Sequence, residues 1–329
     1  MTARSLLVGV DGGQTATKVL VTDRSGRVLG TGRGRAFDHF RVKGGHERNR
    51  VAIDEGVRQA LAAAGASAGD VAAIGLGLTG VRTGGPEAPL AEAIARALAP
   101  NAAISVVADY ESNLAGATGG APGVVVIAGG GAIGFGVTAD GRQALASGYG
   151  YLLGDEGSAF DIGRRAIIAA ARAGDGRDEM TALLDLVLTA YDISDIRDVP
   201  NVIYNESFSR DGISQFAPVV VAAAGRGDPV ALEIVTTAGV ELALTALSVI
   251  RQLHEPGAAV PVAITGGVFS AGDLVQKPFR ATLEAGWPGA TAFAPRYPPV
   301  VGAAIFAARA AGIEPDTSWL AAVAASLPA

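Results

Sequence analysis

The chain carries one pattern of apolar and polar positions twice. In the first copy an apolar run at 6–10 reaches Asp11-Gly12-Gly13-Gln14-Thr15, and a second run at 18–22 precedes a turn at 23–26. In the second copy a run at 124–128 reaches Gly129-Gly130-Gly131-Ala132, and a run at 135–138 precedes a turn at 140–141. Each copy predicts two strands joined by a glycine-rich turn. Repetition at this length indicates a duplicated domain rather than a short-period solenoid.

The two glycine-rich turns are predicted to bind phosphate. Their glycines can adopt positive φ and leave backbone N–H groups unshielded, as a phosphate chain requires. Two such turns favour two facing domains with a nucleotide clamped between them.

The rest of the chain alternates predicted strands and helices, which gives an α/β fold with a mixed sheet in each half. After a three-stranded meander, the first half predicts helices at 47–64, 87–99 and 110–117 and strands at 73–78 and 104–107. The second half predicts a meander through 146, helices at 158–173, 179–190, 206–225 and 229–253, a strand at 262–265, and helices at 273–285, 298–311 and 316–327.

Domain boundaries follow from the glycine-rich stretch at 119–123. We expect a first domain of residues 1–118 and a second domain of residues 119–311 that is enlarged by inserted helices. The last helix, within 312–329, is expected to pack back on the first domain and complete it.

Composition narrows the class of protein. The 329 residues are 49% hydrophobic and carry a net charge of −6, with no basic run and no Cys. This charge argues against nucleic-acid and anionic-membrane partners, and the lack of Cys excludes disulfides and thiolate metal sites. The three His residues are scattered along the sequence, which argues against a zinc site. We expect a cytoplasmic protein without a membrane segment.

A third glycine-rich block, at 148–158, completes a resemblance to a known family. Together with Asp11–Thr15, Asp109, the turn at 129–132 and the run 263–268, it makes the chain similar to the N-acetylglucosamine kinase branch of the acetate and sugar kinase, chaperone and actin superfamily. This branch includes the BadF/BadG/BcrA/BcrD ATPases. The resemblance implies two ribonuclease H-like (actin-like ATPase) domains with a cleft between them. It also implies ATP and Mg²⁺ as cofactors, an amino sugar phosphorylated on its 6-hydroxyl, and a homodimer.

Nucleotide and metal residues can be assigned on these motifs. Asp11 follows an apolar strand, where a carboxylate can hold Mg²⁺ while the adjoining glycines approach the phosphates. An ordinary hairpin turn is the alternative, and Lys18 faces either the site or solvent. The predicted nucleotide-binding residues are Gly12, Gly13, Gln14, Thr15, Gly129, Gly130, Gly131, Ala224, Gly266, Gly267 and Ser270.

Asp109 follows a predicted strand and precedes a helix, where open α/β sheets present ligand-binding groups. By resemblance it is the general base and a second metal-associated carboxylate. The alternative is a helix N-cap, and both roles can hold at once.

The second turn lacks the side-chain hydroxyls usual in the family, since it reads Gly129-Gly130-Gly131-Ala132. Backbone N–H groups can still bind phosphate there. Close packing of strands through glycine is the alternative.

Sugar-binding residues are expected at Asp38, His39, Thr79, Asp109, Gly148, Tyr149, Gly150 and Asp155. Asp38 stands where the family has asparagine, so it keeps hydrogen-bond acceptors and loses amide donors; its charge would favour a cationic substrate such as glucosamine. The alternatives are an exposed loop acid for Asp38 and helix capping by Asp155 or Ser158.

Rival functions share the fold. A glucosamine kinase and a sugar or nucleotide sensor without phosphotransfer both remain open. Reductase-activating ATPases carry cysteine-ligated iron–sulfur chemistry, and the lack of Cys argues against that function here. A DNA-binding sugar-responsive regulator is disfavoured, because no helix-turn-helix pattern precedes residue 6.

Overall fold

The computed structural model describes residues 5–205 and 210–328. They form two compact units, the first from residues 5–122 and 295–328 and the second from residues 123–294.

The first unit begins with a mixed five-stranded sheet. Its strands are β1 (Leu6–Gly12), β2 (Thr17–Thr22), β3 (Val28–Gly34), β4 (Val71–Leu78) and β5 (Ala103–Ala108), in the order β3-β2-β1-β4-β5. Strand β1 runs antiparallel to β2 and parallel to β4, and β4 runs parallel to β5. The helices in this part are α1 (Gly45–Ala63), α2 (Ala88–Leu98) and α3 (Asp109–Thr118).

The second unit repeats this topology. Strands β6 (Gly123–Ala128), β7 (Ala132–Val137) and β8 (Gln143–Ser147) form the meander, and helices α4 (Ala159–Gly174), α5 (Leu183–Ala190), α6 (Val199–Ile203), α7 (Arg210–Ser214), α8 (Ala217–Gly225) and α9 (Pro229–Leu253) follow. Strand β9 (Val260–Thr265), helix α10 (Asp273–Gly286) and strand β10 (Ala290–Phe293) complete the unit. The sheet order is β10-β9-β6-β7-β8, the reverse listing of the first sheet, with the same parallel and antiparallel pairs. The predicted duplication of the domain is therefore confirmed.

Helix α11 (Pro299–Ala310) corrects the expected domain boundary, because it belongs to the first unit rather than to a domain ending at 311. It lies against β1 and β4, where the sheet presents Gly9 and Gly75. A Cβ on Gly9 would lie 2.5 Å from the amide nitrogen of Ala304, and one on Gly75 would overlap the carbonyl oxygen of Ala303. The helix can pack this closely only because both strand positions lack a side chain.

Helix α12 (Thr317–Ser326) packs on the first unit, as the sequence predicted. Trp319 is buried against the turn at Gly26, and the Ser326 hydroxyl accepts a hydrogen bond of 2.8 Å from the amide of Val28 at the start of β3.

The prediction of a single helix at 206–225 is wrong for residues 210–225, which form two helices. Positions 206–209 lie outside the described residues, α7 ends at Ser214, and α8 begins at Ala217 with Pro218 in its first turn. Proline has no N–H for a preceding helical turn and suits the start of a new helix. Helix α6 and the short strand β10 were not predicted.

Helix α9 is the one helix among residues 5–205 and 210–328 that is long and apolar enough to cross a membrane. Half of its most apolar stretch is buried inside the second unit, where it packs on β6, β7 and β8. Its apolar character is therefore accounted for by its place in the core.

Candidate active site

The first glycine turn holds its backbone carbonyls away from its tip. The carbonyl oxygen of Gly12 accepts a hydrogen bond of 2.9 Å from the amide of Thr79, and that of Gly13 accepts one of 3.0 Å from the amide of Phe37. Gln14 and Thr15 lie exposed at the tip. A Cβ on Gly12 would lie 2.5 Å from the Leu78 side chain, so this glycine is required by packing.

The expected positive φ is wrong for the phosphate-loop glycines. Gly12, Gly13, Gly129, Gly130 and Gly131 are not among the glycines with positive φ. At Gly129 and Gly130 the missing side chain leaves the backbone open to approach, because a Cβ there would meet no atom within 4 Å.

Asp11 and Asp109 bring two carboxylates together at the ends of β1 and β5. Asp11 is 9% exposed, and burial raises its pKa from 3.8 to about 7; the Lys18 charge opposes this shift and the Asp109 charge adds to it. Lys18 is the cross-strand partner of Asp11 in the β1–β2 register. Burial also raises the pKa of Asp109. A divalent cation would relieve the cost of both charges, and carboxylate oxygens suit Mg²⁺, so these residues fit the metal.

Asp109 lies among several of the predicted sugar ligands. A hydrogen bond from the Thr79 side chain, one of 2.8 Å from the Tyr110 amide, and the nearby His39 ring all lower its pKa against the effect of burial. His39 in turn packs over Gly80 and lies 3.5 Å from the Gln14 side chain, measured between Nε2 atoms. The structure thus places Asp11, Asp109, Thr79 and His39 at one edge of the first sheet.

The N-cap alternative for Asp109 is wrong, because Ala108 occupies the cap position and Asp109 is the first residue of α3. The buried Glu111 carboxylate accepts a hydrogen bond of 2.9 Å from the amide of Ala108 and a very short one from the Thr83 hydroxyl. Sequence reasoning missed Thr83 and Glu111. The signal for Glu111 was a carboxylate three residues beyond the cap position.

Asp38 lies beside His39, but its charge is already balanced. One carboxylate oxygen accepts a hydrogen bond of 2.6 Å from Arg48, and the other accepts one of 2.8 Å from the amide of His39. The hydrogen bond from Arg48 holds the pKa of Asp38 below its usual range. Buried Asn49 fixes the Asp38 backbone with hydrogen bonds of 2.8 and 2.7 Å. This ion pair removes the charge argument for a cationic substrate.

The second glycine turn lies at the end of β6. A Cβ on Gly129 or Gly130 would meet no atom within 4 Å, which rules out close packing as the reason for glycine at these two positions. Gly131 differs, because a Cβ there would lie 2.9 Å from the Asp155 carboxylate and 2.9 Å from the Arg210 guanidinium.

Asp155 lies against this turn rather than on a helix end. It is buried with a positive φ of 63°, and its carboxylate accepts hydrogen bonds from the amide of Ala132, at 3.1 Å, and from Arg210, at 3.0 Å. Burial raises its pKa, while the Ala132 amide and the Arg210 charge oppose the shift. Ser158, not Asp155, caps α4 through its hydroxyl. Both oxygens of this predicted sugar ligand thus already have partners in the second unit.

The block at 148–150 forms an exposed loop. Gly148 and Gly150 have positive φ angles of 78° and 81°, and Tyr149 is 74% exposed. Gly148 also packs directly against Ile133 of β7.

The predicted adenosine residues lie beyond β9. Gly266 has a positive φ of 103° and passes so close to Ala128 that a Cβ would overlap its carbonyl. Gly266, Gly267 and Ser270 are all exposed. Ala224 is 4% exposed, within the core where α8 packs on the turn Gly267–Ala271. The Ala224 side chain therefore points into the core.

Within residues 5–205 and 210–328 there is no cluster of three or more His, Cys, Asp or Glu side chains that could enclose a metal ion. Two carboxylates are enough for Mg²⁺ bound with substrate phosphates, because this ion retains several water ligands.

Comparison with known proteins gives relatives that span almost the whole chain. The chain is 31% identical over 303 residues to an N-acetylmuramic acid/N-acetylglucosamine kinase from Clostridium acetobutylicum, which covers 92% of this chain and 97% of the relative. It is 26% identical to a glucosamine kinase from Vibrio cholerae, over 73% of this chain and 79% of the relative. Among solved structures, a provisionally named N-acetylglucosamine kinase from Chromobacterium violaceum is 31% identical with a TM-score of 0.75, over 92% of this chain and 99% of that one.

The family model for the BadF/BadG/BcrA/BcrD ATPases matches residues 8–307. This match agrees with the duplicated β3-β2-β1-β4-β5 topology, which confirms the expected α/β fold with two ribonuclease H-like domains. The chain therefore belongs to the BadF/BadG/BcrA/BcrD ATPase family.

Proposed function

We propose that this protein is an ATP-dependent amino-sugar kinase that transfers the γ-phosphate to the 6-hydroxyl of N-acetylglucosamine or a close relative. The observation that carries the proposal is the pair of carboxylates, Asp11 and Asp109, next to a glycine turn whose carbonyls already accept hydrogen bonds from backbone amides. The kinase names of the Clostridium and Vibrio relatives support it.

Asp109 would act as the general base. It accepts the proton of the sugar hydroxyl as the new bond from oxygen to the γ-phosphorus forms and the bond to the β-phosphate oxygen breaks, which releases ADP. The proton then passes from Asp109 to solvent. Burial raises the pKa of Asp109, which makes its carboxylate a stronger base. Since the base must be ionised, kcat should rise with pH through the pKa of this group.

Asp11 would hold Mg²⁺ together with Asp109. When bound, the metal would neutralise charge on the phosphates. Gln14 and Thr15 at the tip of the first turn, and the N–H groups of the second turn, would contact the phosphates. Gly266, Gly267 and Ser270 would border the adenosine.

An N-acetylated sugar is the substrate that we propose. Arg48 neutralises Asp38, so the site has no unbalanced charge at this position to select an ammonium group. His39 and Thr79, which lie beside Asp109, would contact sugar hydroxyls. We further propose that the protein is cytoplasmic and forms a homodimer. Sedimentation of the purified protein would test the dimer.

A panel of sugars in a coupled assay of ADP release tests the proposal. The panel is N-acetylglucosamine, glucosamine, N-acetylmuramic acid, N-acetylmannosamine and glucose. We expect turnover with N-acetylated sugars; preference for glucosamine would instead support the charge argument at Asp38. Sugar binding without sugar-dependent ADP release would identify a sensor and end the proposal.

The Asp109→Asn variant tests the assigned base. Removal of a general base typically lowers the rate by roughly 10² to 10⁴, and we expect kcat to fall by that factor while calorimetry still detects sugar binding. Asp185→Asn, at an exposed position on α5, is the control and should behave as the parent protein. Near-normal kcat in Asp109→Asn would remove Asp109 from the mechanism.

A further inference from the structure

Every carbonyl of the second glycine turn has a hydrogen-bond donor. The carbonyl oxygen of Gly129 accepts from the amide of Ala159, at 2.9 Å, and that of Gly131 accepts from the amide of Gly129, at 2.9 Å. The carbonyl oxygen of Gly130 accepts from the Nη2 atom of Arg210, at 2.7 Å. The N–H groups of Gly130 and Gly131 have no hydrogen bond among residues 5–205 and 210–328.

This arrangement favours an anion. A loop that binds phosphate through N–H groups must turn its carbonyl dipoles elsewhere, because a free carbonyl oxygen would repel the phosphate. Here the three carbonyls are satisfied within the protein and two successive amides remain. The open space in front of Gly129 and Gly130 leaves room for a ligand to reach those amides.

Arg210 holds this arrangement from a distant part of the chain. Its Nη2 atom donates to the Gly130 carbonyl and to the Asp155 carboxylate, and its guanidinium lies 5.4 Å from the ring centre of Tyr151 and 5.8 Å from that of Phe160. The side chain is 26% exposed, and its Nε atom is buried without a hydrogen bond. Attraction between the guanidinium charge and these two aromatic rings helps to hold the side chain in place.

Arg210 also neutralises a carboxylate next to the turn. Asp155 is so close that its oxygens would lie 2.9 and 3.0 Å from a Cβ on Gly131. Without Arg210 that buried negative charge would face the same space as the phosphates. A guanidinium can donate hydrogen bonds to a carbonyl and to a carboxylate at the same time, which an ammonium group does less well.

We propose that Arg210 is a positioning residue of the phosphate loop, because it holds the Gly130 carbonyl in a hydrogen bond and neutralises Asp155. The ligand recognised is the polyphosphate of a nucleotide. The inference rests on the nucleotide-binding part of the proposed function and does not depend on sugar phosphorylation.

Calorimetric binding of ATP, ADP and adenosine to the full chain, without sugar, tests this inference. We expect Arg210→Met to weaken ATP and ADP binding by about 10- to 100-fold, the factor that corresponds to loss of a charge-assisted hydrogen bond. Adenosine affinity should not change, because adenosine has no phosphate. Arg210→Lys should retain part of the ATP affinity. Arg172→Met is the matched control, since Arg172 forms an exposed ion pair with Asp178 in the same unit.

A second substitution separates the charge effect from the carbonyl effect. In the Arg210→Met background, Asp155→Asn removes the unbalanced carboxylate and should restore part of the ATP affinity. A partial rescue is not expected if Arg210 only supports the fold.

Three outcomes would overturn the inference. The first is unchanged ATP affinity in Arg210→Met. The second is an equal loss for ATP and adenosine, which would indicate general disruption of the unit. The third is a lack of ATP binding by the parent protein. Because sugar is absent from the assay, failure of the sugar panel leaves these results interpretable. If Arg210→Met does not fold by circular dichroism, the ATP-to-adenosine ratio in Arg210→Lys decides.

Discussion

Replacing Asp11 by asparagine should stabilise the protein at neutral and alkaline pH. The Asp11 carboxyl is 9% exposed, and its pKa is raised from 3.8 to about 7, mainly by burial. The folded protein therefore holds this proton more tightly than the unfolded chain does. Between about pH 4 and pH 7 the native state binds more protons than the unfolded state, so the free energy of unfolding falls as pH rises.

The magnitude follows from the size of the shift. About 3 pKa units at about 1.4 kcal/mol each give a cost of ~4 kcal/mol for the ionised carboxylate, fully present above about pH 7. Asparagine has nearly the same shape and does not ionise. Asp11→Asn should recover most of that free energy at pH 8 and little of it at pH 4.

Urea unfolding at pH 4.5, 6 and 8, without divalent cations, measures the effect. The difference between the variant and the parent protein should grow with pH. The control is Glu284→Gln at an exposed position on α10, for which we expect a difference below about 0.5 kcal/mol at each pH. A repeat with Mg²⁺ should stabilise the parent protein and not Asp11→Asn, since binding to the folded state alone adds stability. Equal stability of Asp11→Asn and parent at pH 8 would refute the reasoning.

Two further predictions concern the scaffold of the first unit. Glu111→Gln weakens the hydrogen bonds from the Ala108 amide and the Thr83 hydroxyl at the start of the helix that carries Asp109. We expect the free energy of unfolding in urea to fall by about 1–2 kcal/mol, together with a lower kcat. The control is Glu92→Gln, which only breaks an exposed ion pair. Unchanged stability and kcat in Glu111→Gln would contradict this role. Trp319→Ala should cost about 3–5 kcal/mol, because the ring is 3% exposed and packs on the turn at Gly26. A loss below 1 kcal/mol in thermal or urea unfolding would show that α12 does not stabilise the unit.

Much of the candidate site could be predicted because it lies at the ends of strands. The apolar run before Asp11 and the run before Asp109 each end where a parallel strand of the sheet ends, and β4 between them brings Thr79 to the same edge. The local sequence pattern therefore predicted that these side chains lie at one edge of the sheet. Their electrostatics were not predictable, since the raised pKa of Asp11 depends on burial and on the neighbouring Asp109.

The sequence also did not predict the ion pairs and hydrogen bonds that join side chains from different elements, because they form only on folding. Arg48 neutralises Asp38 from the first turns of α1, and Arg210 reaches Gly130 from 80 residues away. No periodicity or turn signal relates such positions. The expected positive φ in the phosphate loops was also wrong, because glycine composition alone does not distinguish a left-handed residue from one that only needs an open face.

The sequence by itself determined the duplicated strand-and-turn units, the α/β class and the family motifs, because alternating apolar positions and glycine turns are local features of the chain. Only the tertiary structure decided that α11 belongs to the first unit, since its packing depends on Gly9 and Gly75 in strands far from it in sequence. The tertiary structure alone also decided which charges are balanced at Asp38 and Asp155, because ion pairs form between side chains that folding brings together.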